Sequence, residues 1–294
     1  MNNTEQHSAF IALLGSPNAG KSTLLNQLIG GKVAIVSPKV QTTRTTMNGI
    51  CIEGNAQLVF IDTPGIFIPS KPLERAIVRA AWEGFKAADQ IAVIVDSKRG
   101  ICKNTRQIIE SLQQKNARAI LVLNKIDLIK PHTLLALAQE LNGFGIFDET
   151  FMISALKGDG VPDLRKYFAK NAPVSPWHYD DDMMTDAPLR FLAAEITREQ
   201  LFLRLNEELP YSLSVQVEKW EEKDNGSVAI HQMIYVMKET QKMIIVGKGG
   251  NMIKLIGEKA RKEIEKMLGQ KVHLYLFVKV QENWTEERFL GNIG

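Results

Sequence analysis

The sequence predicts an α/β fold with a mostly parallel sheet and helices on both faces, followed by a smaller α+β domain. Three observations carry this. First, the apolar run Phe10–Leu14 leads into the glycine-containing loop Gly15–Ser22, and the helix-like stretch Thr23–Leu28 follows. Second, the short apolar runs Leu58–Ile61, Ile91–Val95, Ala119–Leu123 and Phe151–Ile153 are separated by helical patterns. Continuous apolar strands joined by helices mark a parallel sheet covered on both sides. Third, a Pro- and Asp-containing break near residues 173–188 separates this pattern from a second one, and 294 residues suit two cores better than one.

The loop Gly15-Ser16-Pro17-Asn18-Ala19-Gly20-Lys21-Ser22 fits the phosphate-binding pattern G-x-x-x-x-G-K-[ST], with Thr23 beginning the helical stretch behind it. Backbone N–H groups at a helix start converge on phosphate oxygens, and the helix dipole favours the negative charge. Lys21 reaches the terminal phosphates and the Ser22 hydroxyl is a Mg²⁺ ligand in this pattern. A glycine turn matching by accident is the bland alternative, and the strand–loop–helix setting argues against it.

The other apolar runs each end in a polar motif: Asp62-Thr63-Pro64-Gly65, Asp96, Asn124-Lys125-Ile126-Asp127 and Ser154-Ala155-Leu156-Lys157. Ligands bind at the C-terminal ends of strands in open α/β sheets. In this order the motifs resemble the G motifs of translation-factor and Ras-type GTPases. The resemblance implies that Asp62 anchors Mg²⁺ through a water and that the Gly65 N–H meets the γ-phosphate. It also implies that the Asp127 carboxylate accepts from guanine N1–H and the N2 amino group. Adenine lacks that donor pair and would leave a carboxylate unpaired. Asn124 would support the loop, the Lys125 stem would pack on the base, and the Ala155 N–H would meet guanine O6.

Lys39–Thr46 is rich in hydroxyls, lacks apolar periodicity and reads as a loop. In such GTPases this region closes on Mg²⁺ and the γ-phosphate through a threonine, with Thr42 and Thr43 as candidates. Gln41-Thr42-Thr43-Arg44 resembles bacterial GTPases of the Era group, in which the second threonine is the metal ligand; that favours Thr43. Ile66 stands where Ras-type enzymes carry a water-orienting glutamine. In related bacterial GTPases an asparagine at the position of Asn18 helps hold a potassium ion that offsets charge between the β- and γ-phosphates. The expected catalytic set is therefore Lys21, Thr43, Gly65 and Asn18, with Mg²⁺ at Ser22, Thr43 and Asp62 and K⁺ at Asn18. A purely loop-shaping role for Asn18 is the alternative.

Val161–Phe168 reads as the last helix of the first domain, with Pro162 near its start. The expected divisions are residues 1–174, a linker over 175–188, and 189–294. Asp180–Asp182 reads as a solvated acidic loop. The second domain begins with a helical pattern from Leu189. Leu213–Val217 and Val228–Val236 then alternate as strands around an Asp224–Ser227 turn. Gly247-Lys248-Gly249-Gly250 follows Met243–Val246 and precedes a helix from about Met252 to Leu268, with a last strand Lys271–Val280. This order resembles a type II KH domain, in which a G-x-x-G loop between two helices clamps single-stranded RNA. Lys242, Lys248 and Lys254 join the glycines as candidate RNA contacts. Between Lys242 and Lys279, nine basic residues face three acidic ones, a surplus of +6 where the whole chain carries +3. Gly291–Gly294 also matches G-x-x-G with nothing after it, so the motif alone is weak. His231 and His273 lie in strand patterns and read as structural.

Composition excludes some classes. No apolar run reaches the length of about 18 residues that a membrane span needs. The N-terminus, Met1 to Ser8, is polar and unlike a signal peptide. Cys51 and Cys102 lack metal-ligand spacing and read as reduced thiols of a cytoplasmic protein. From Phe10 to about Trp284 the chain resembles the Era group of bacterial GTPases. That resemblance implies binding of GTP and GDP and of the 3′ region of 16S ribosomal RNA. It also implies a role in maturation and assembly of the 30S subunit, and peripheral association with the cytoplasmic face of the inner membrane. A monomer is expected. Two rivals remain: an ATPase on the same phosphate loop, and an RNA-assembly module whose nucleotide site is structural and does not turn over.

Overall fold

The computed structural model describes residues 5–36, 47–62, 88–205, 209 and 213–281. They form two compact units. One comprises residues 5–34, 47–62 and 88–186; the other comprises Ile35 and Val36 with the described residues from Ala187 onward.

The first unit is built on a six-stranded sheet in the order β2-β3-β1-β4-β5-β6. Its strands are β1 (His7–Gly15), β2 (Met47–Glu53), β3 (Ala56–Asp62), β4 (Gln90–Asp96), β5 (Ala119–Asn124) and β6 (Phe147–Ile153). All pair in parallel except β2, which lies antiparallel on β3 at the sheet edge. Strands β1, β3, β4 and β5 are buried along most of their length, as their unbroken apolar runs require. Helices α1 (Lys21–Ile29) and α4 (Val161–Lys170) pack against β1 and β3. Helices α2 (Lys103–Gln114) and α3 (Pro131–Asn142) bury Ile108, Ile109, Leu112, Leu134 and Leu141 against Leu14, Val93, Val95, Leu121 and Leu123. Pro131 and Pro162 stand in the first turns of α3 and α4, where a missing N–H costs nothing. Gly30 ends α1 in the left-handed region, φ 78°, and its N–H returns to the Asn26 carbonyl.

The stretch expected as a linker behaves otherwise through residue 186. His7 bridges to Val174, and the Ser8 N–H donates to the Pro173 carbonyl at 3.1 Å. Gln57 in β3 is fully buried; its Oε1 accepts from the His178 and Tyr179 N–H groups (2.8 and 3.1 Å), and its Nε2 donates to the Tyr179 carbonyl (2.8 Å). The Ile50 N–H donates to the Met184 carbonyl at 2.8 Å, and the Thr185 hydroxyl to the Asn48 carbonyl at 2.7 Å. Asp186 accepts from the Asn48 N–H and side-chain amide at 3.1 and 2.7 Å. This strap supplies partners to the exposed edge of β2, the part of a sheet that otherwise carries unpaired backbone groups. Its prolines and aspartates signal irregular backbone but say nothing of where that backbone bonds.

The second unit has a three-stranded sheet in the order β7-β8-β9: β7 (Leu213–Glu222), β8 (Val228–Val236) and β9 (Val272–Val280). β7 and β8 are antiparallel, while β8 and β9 are parallel. Helices α5 (Leu189–Arg204), α6 (Glu239–Val246) and α7 (Asn251–Leu268) complete it. Alternate residues of β8, Val228, Ile230, Ile234 and Val236, are fully buried with Ala193, Leu201, Ile256, Ala260 and Ile264. Gln232 shares that buried face, and its Nε2 donates to the Ala193 carbonyl at 3.0 Å. On the opposite face His231 stacks on Tyr275, ring centroids 4.6 Å apart. The turn between β7 and β8 places Gly226 at φ 73°. The Val36 N–H donates to Glu199 Oε1 at 2.7 Å, which ties this short piece to α5.

Candidate functional site

The C-terminal ends of β1, β3, β4, β5 and β6 bring most of the expected nucleotide-binding residues to one sheet edge. Gly15 and Gly20 are glycines for steric reasons. A Cβ on Gly15 would lie 2.6 Å from the Ile94 carbonyl oxygen. Gly20 has φ 97°, and its Cβ would lie 2.3 Å from Asn124 Nδ2. Lys21 is buried, and its ammonium donates to the Gly15 and Ser16 carbonyls at 3.2 and 3.4 Å. Burial pushes the Lys21 ammonium down to about 8, with the Asp62 carboxylate pulling the other way. A phosphate oxygen beside it would favour the charged form. Ser22 and Thr23 lie in the first turn of α1, and the Ser22 hydroxyl donates to Asp62 Oδ2 at 3.3 Å. A hydroxyl and a fully buried carboxylate, both hard oxygen donors, fit the part of a Mg²⁺ site that protein supplies beside phosphates.

The loops expected to bind the base are organised by Asn124, which is buried. Its Nδ2 donates to the Ala19 carbonyl at 2.9 Å, and its Oδ1 accepts from the Lys125 and Ala155 N–H groups at 2.8 and 2.9 Å. The Ala155 N–H, expected to meet guanine O6, is thus given to Asn124. A buried amide oxygen needs donors, and a guanine O6 would have to share this one. Asp127 is exposed, and one of its carboxylate oxygens accepts from the Ser154 hydroxyl at 2.7 Å. Leu156 is the most exposed large apolar residue described, at 80%. Lys125, at φ 65°, extends its ammonium to the Asn18 carbonyl and to Asp96 Oδ2, both at 2.7 Å. Asn18 has φ 64° and Pro17 accepts from Arg99 at 3.4 Å. Asp96 received no role from the sequence, although its place at the end of an apolar run was a signal. Gln41, Thr42, Thr43 and Arg44, and likewise Thr63, Pro64, Gly65 and Ile66, lie outside the described residues.

In the second unit, α6 ends at Val246 and the loop turns through Gly247 (φ 72°), Gly249 (φ 60°) and Gly250 (φ 78°) into α7. Side chains other than glycine rarely adopt these angles. A Cβ on Gly247 would lie 2.7 Å from Met252 Cβ, whereas those on Gly249 and Gly250 would meet nothing within 4 Å. The loop backbone is therefore open to a ligand. Lys248 and Lys254 are exposed; Lys242 is half-buried, 3.9 Å from Glu239. Met243, Ile244 and Leu255, close to the loop in sequence, are also exposed, an apolar surface that sequence periodicity had not singled out.

A nucleotide-binding α/β unit with these loops, joined to a helix–G-x-x-G–helix unit on a three-stranded sheet, defines a P-loop GTPase carrying a KH domain. The family model described as 50S ribosome-binding GTPase matches residues 10–125, and the KH domain model matches residues 208–285. GTPase Era of Brucella melitensis biotype 1 is 55% identical over 284 residues, 97% of this chain and 91% of its own. GTPase Era of Rhizobium meliloti is 54% identical over 284 residues, 96% and 91% of the two chains. A crystal structure of Era in complex with MgGDPNP and nucleotides 1506–1542 of 16S ribosomal RNA superposes with TM-score 0.92 at 38% identity, covering 98% of this chain and 99% of that one. A tyrosine-to-alanine point variant of Aquifex aeolicus Era bound to GDP.AlF4- gives TM-score 0.92 at 37% identity, with the same coverage. The chain belongs to the GTPase Era family.

Proposed function

We propose that this chain is a GTP-hydrolysing switch that binds the 3′ region of 16S ribosomal RNA and acts in maturation of the 30S subunit. The observation that carries the nucleotide reading is the exposed Asp127 carboxylate oriented by Ser154 at 2.7 Å, on the same sheet edge as Lys21 and the Ser22–Asp62 pair. That carboxylate accepts two donors from guanine and none from adenine at that edge, which argues against an ATPase. Lys21 and the N–H groups at the start of α1 hold the phosphates, and Ser22, Asp62 and Thr43 hold Mg²⁺. When bound, Mg²⁺ neutralises charge developing on the transferred phosphoryl group. Related Era structures with MgGDPNP and with GDP.AlF4- support the same use of the site.

Ile66 cannot orient a water, so the unaided site hydrolyses slowly. K⁺ held by the Asn18 amide oxygen would offset charge between the β- and γ-phosphates, and the left-handed backbone at Asn18 agrees with a specialised loop position. GTPase rates equal in KCl and NaCl at matched ionic strength would remove K⁺ from the mechanism. The switch loop at Thr42 and Thr43 orders on the γ-phosphate and relaxes after hydrolysis. The Gly247–Gly250 loop with Lys242, Lys248 and Lys254 clamps RNA, as nucleotides 1506–1542 in the relative's complex suggest by analogy.

The deciding experiment measures multiple-turnover GTP hydrolysis and, separately, binding of a 16S 3′-end oligonucleotide with GDP and with a non-hydrolysable GTP analogue. Turnover with a nucleotide-dependent RNA affinity is expected. Stoichiometric GTP binding without turnover would favour the structural-site reading, and equal RNA affinities would remove the switch. The protein works as a cytoplasmic monomer that associates peripherally with the inner membrane. Among the described residues no helix is long and apolar enough to cross a membrane.

A further inference from the structure

The end of β4 holds an ion pair that the reaction scheme above does not use. Asp96 is buried, with its side chain 8% exposed, and its two carboxylate oxygens are divided between two tasks. Oδ1 accepts from the Lys98 and Arg99 N–H groups at 3.0 and 3.3 Å and shapes the turn after the strand. Oδ2 accepts from the Lys125 ammonium at 2.7 Å. The same ammonium donates to the Asn18 carbonyl at 2.7 Å. Asp96 and Asn124 are paired in register on adjacent parallel strands, so the carboxylate sits one residue from the base-binding loop in space.

Lys125 and the Asn18 it reaches both have left-handed backbone. Lys125 (φ 65°) and Asn18 (φ 64°) are left-handed non-glycine residues, a conformation costing on the order of 1 kcal/mol each. Such geometry persists when the surroundings over-determine it. Here Lys125 reaches Asn18 through a flexible four-carbon stem whose tip also meets the Asp96 charge. A lysine without that counter-ion hydrates its ammonium and samples many rotamers.

We infer that Asp96 is a positioning residue for the nucleotide: through Lys125 it locks the phosphate loop at Asn18 to the base-binding loop before guanine nucleotide arrives. Asp96 touches no ligand atom. Its carboxylate holds the Lys125 ammonium, and through it the Asn18 carbonyl, so that the loop's N–H groups keep their aim. Preorganisation of this kind lowers the ordering cost of binding and acts on GDP and GTP alike. The inference rests on the guanine-site reading of Lys125.

The test is a double-mutant cycle of Asp96→Asn and Lys125→Met on the full chain, read by GDP dissociation constant and by steady-state GTP hydrolysis. Asparagine keeps an acceptor for the Lys98 N–H and replaces the charged acceptor of the Lys125 ammonium by a neutral NH2 donor; methionine keeps an apolar stem and removes the ammonium. Each single variant is expected to bind GDP about tenfold more weakly, the usual scale of a lost charged hydrogen bond. The double variant is expected to lose no more than either single one. For Asp96→Asn the loss falls on KM, with kcat within about twofold of the parent. A Lys125→Met variant with unchanged GDP affinity would overturn the site reading itself, and this inference with it. A weakened Lys125→Met beside an unaffected Asp96→Asn, or losses that add in the double variant, would overturn the inference alone. If Asp96→Asn shows no cooperative melting, Asp96→Ser replaces it, and the same non-additivity is required.

Discussion

The Lys125 ammonium donates to the Asn18 carbonyl at 2.7 Å, joining the Asn124–Asp127 loop to the Gly15–Ser22 loop across 107 residues of sequence. Together with the Asn124–Ala19 bond at 2.9 Å, it makes the two halves of the nucleotide site one connected structure. Changes at either end should therefore register as changes in binding of the whole nucleotide.

Asp127→Asn replaces an acceptor pair by one acceptor and one donor. GTP affinity should fall by about a hundredfold or more, because a site built around paired hydrogen bonds penalises a mismatched polar group heavily. Xanthosine nucleotides, which present an oxygen where guanine has its amino group, should gain. Competition between labelled GDP and XDP reads both changes, and retained guanine preference would exclude Asp127 from base recognition.

Gly20→Ala adds a Cβ 2.3 Å from Asn124 Nδ2 at a residue with φ 97°. Either the loop shifts or the Asn124 amide gives up the Ala19 carbonyl. Stability should drop by about 1–3 kcal/mol, measured by urea denaturation, and GDP binding should be lost with it. A fully stable variant that binds GDP would contradict the close approach.

The strap over residues 173–186 depends on the fully buried amide of Gln57. Gln57→Leu leaves the His178 and Tyr179 N–H groups and the Tyr179 carbonyl to find other partners, at about 1–3 kcal/mol. Limited proteolysis should then cut within 175–186 much faster than in the parent. Unchanged cleavage would mean that the strap is held by other contacts.

In the KH domain, replacing Lys248 and Gly249 by Asp puts negative charge on the open loop. Gly249 sits at φ 60° with nothing within 4 Å of its Cβ position, and Asp tolerates that angle better than most residues, so folding should survive. Affinity for a 16S 3′-end oligonucleotide should fall by about a hundredfold, and its salt dependence should weaken. GTP turnover without RNA should stay unchanged. Parent-like RNA affinity would move the site away from this loop.

The two thiols should differ in reactivity. Burial pushes the Cys51 thiol up to about 12, with the Arg165 charge only partly opposing it. Burial also raises Cys102, but hydrogen bonds with Thr105 and the Asn104 backbone, together with the Arg99 charge, bring it below the ordinary value. Thiolate is the reactive form, so at pH 8 iodoacetamide should label Cys102 about tenfold faster than Cys51 or more, as mass spectrometry of the two peptides would show. Equal rates would mean that the Cys51 environment opens in solution.

The sequence by itself determined the class of fold, the strand–loop–helix of Gly15–Ser22, the Asn124–Asp127 turn at a strand end and the G-x-x-G turn. Each is a local pattern whose residue types answer to a local demand: a left-handed angle, a helix start, a polar residue at a strand end. Even there Asp96 was seen only as a strand end, because its partner Lys125 lies 29 residues on and meets it only when β4 and β5 pair. The tertiary structure alone decided that Asn124 takes the Ala155 N–H, that Met47–Glu53 is an antiparallel edge strand, and that residues 173–186 are a strap on that edge. Hydrogen-bond partners distant in sequence leave no periodicity behind, and a proline-broken segment reads the same whether its backbone bonds to water or to a buried glutamine.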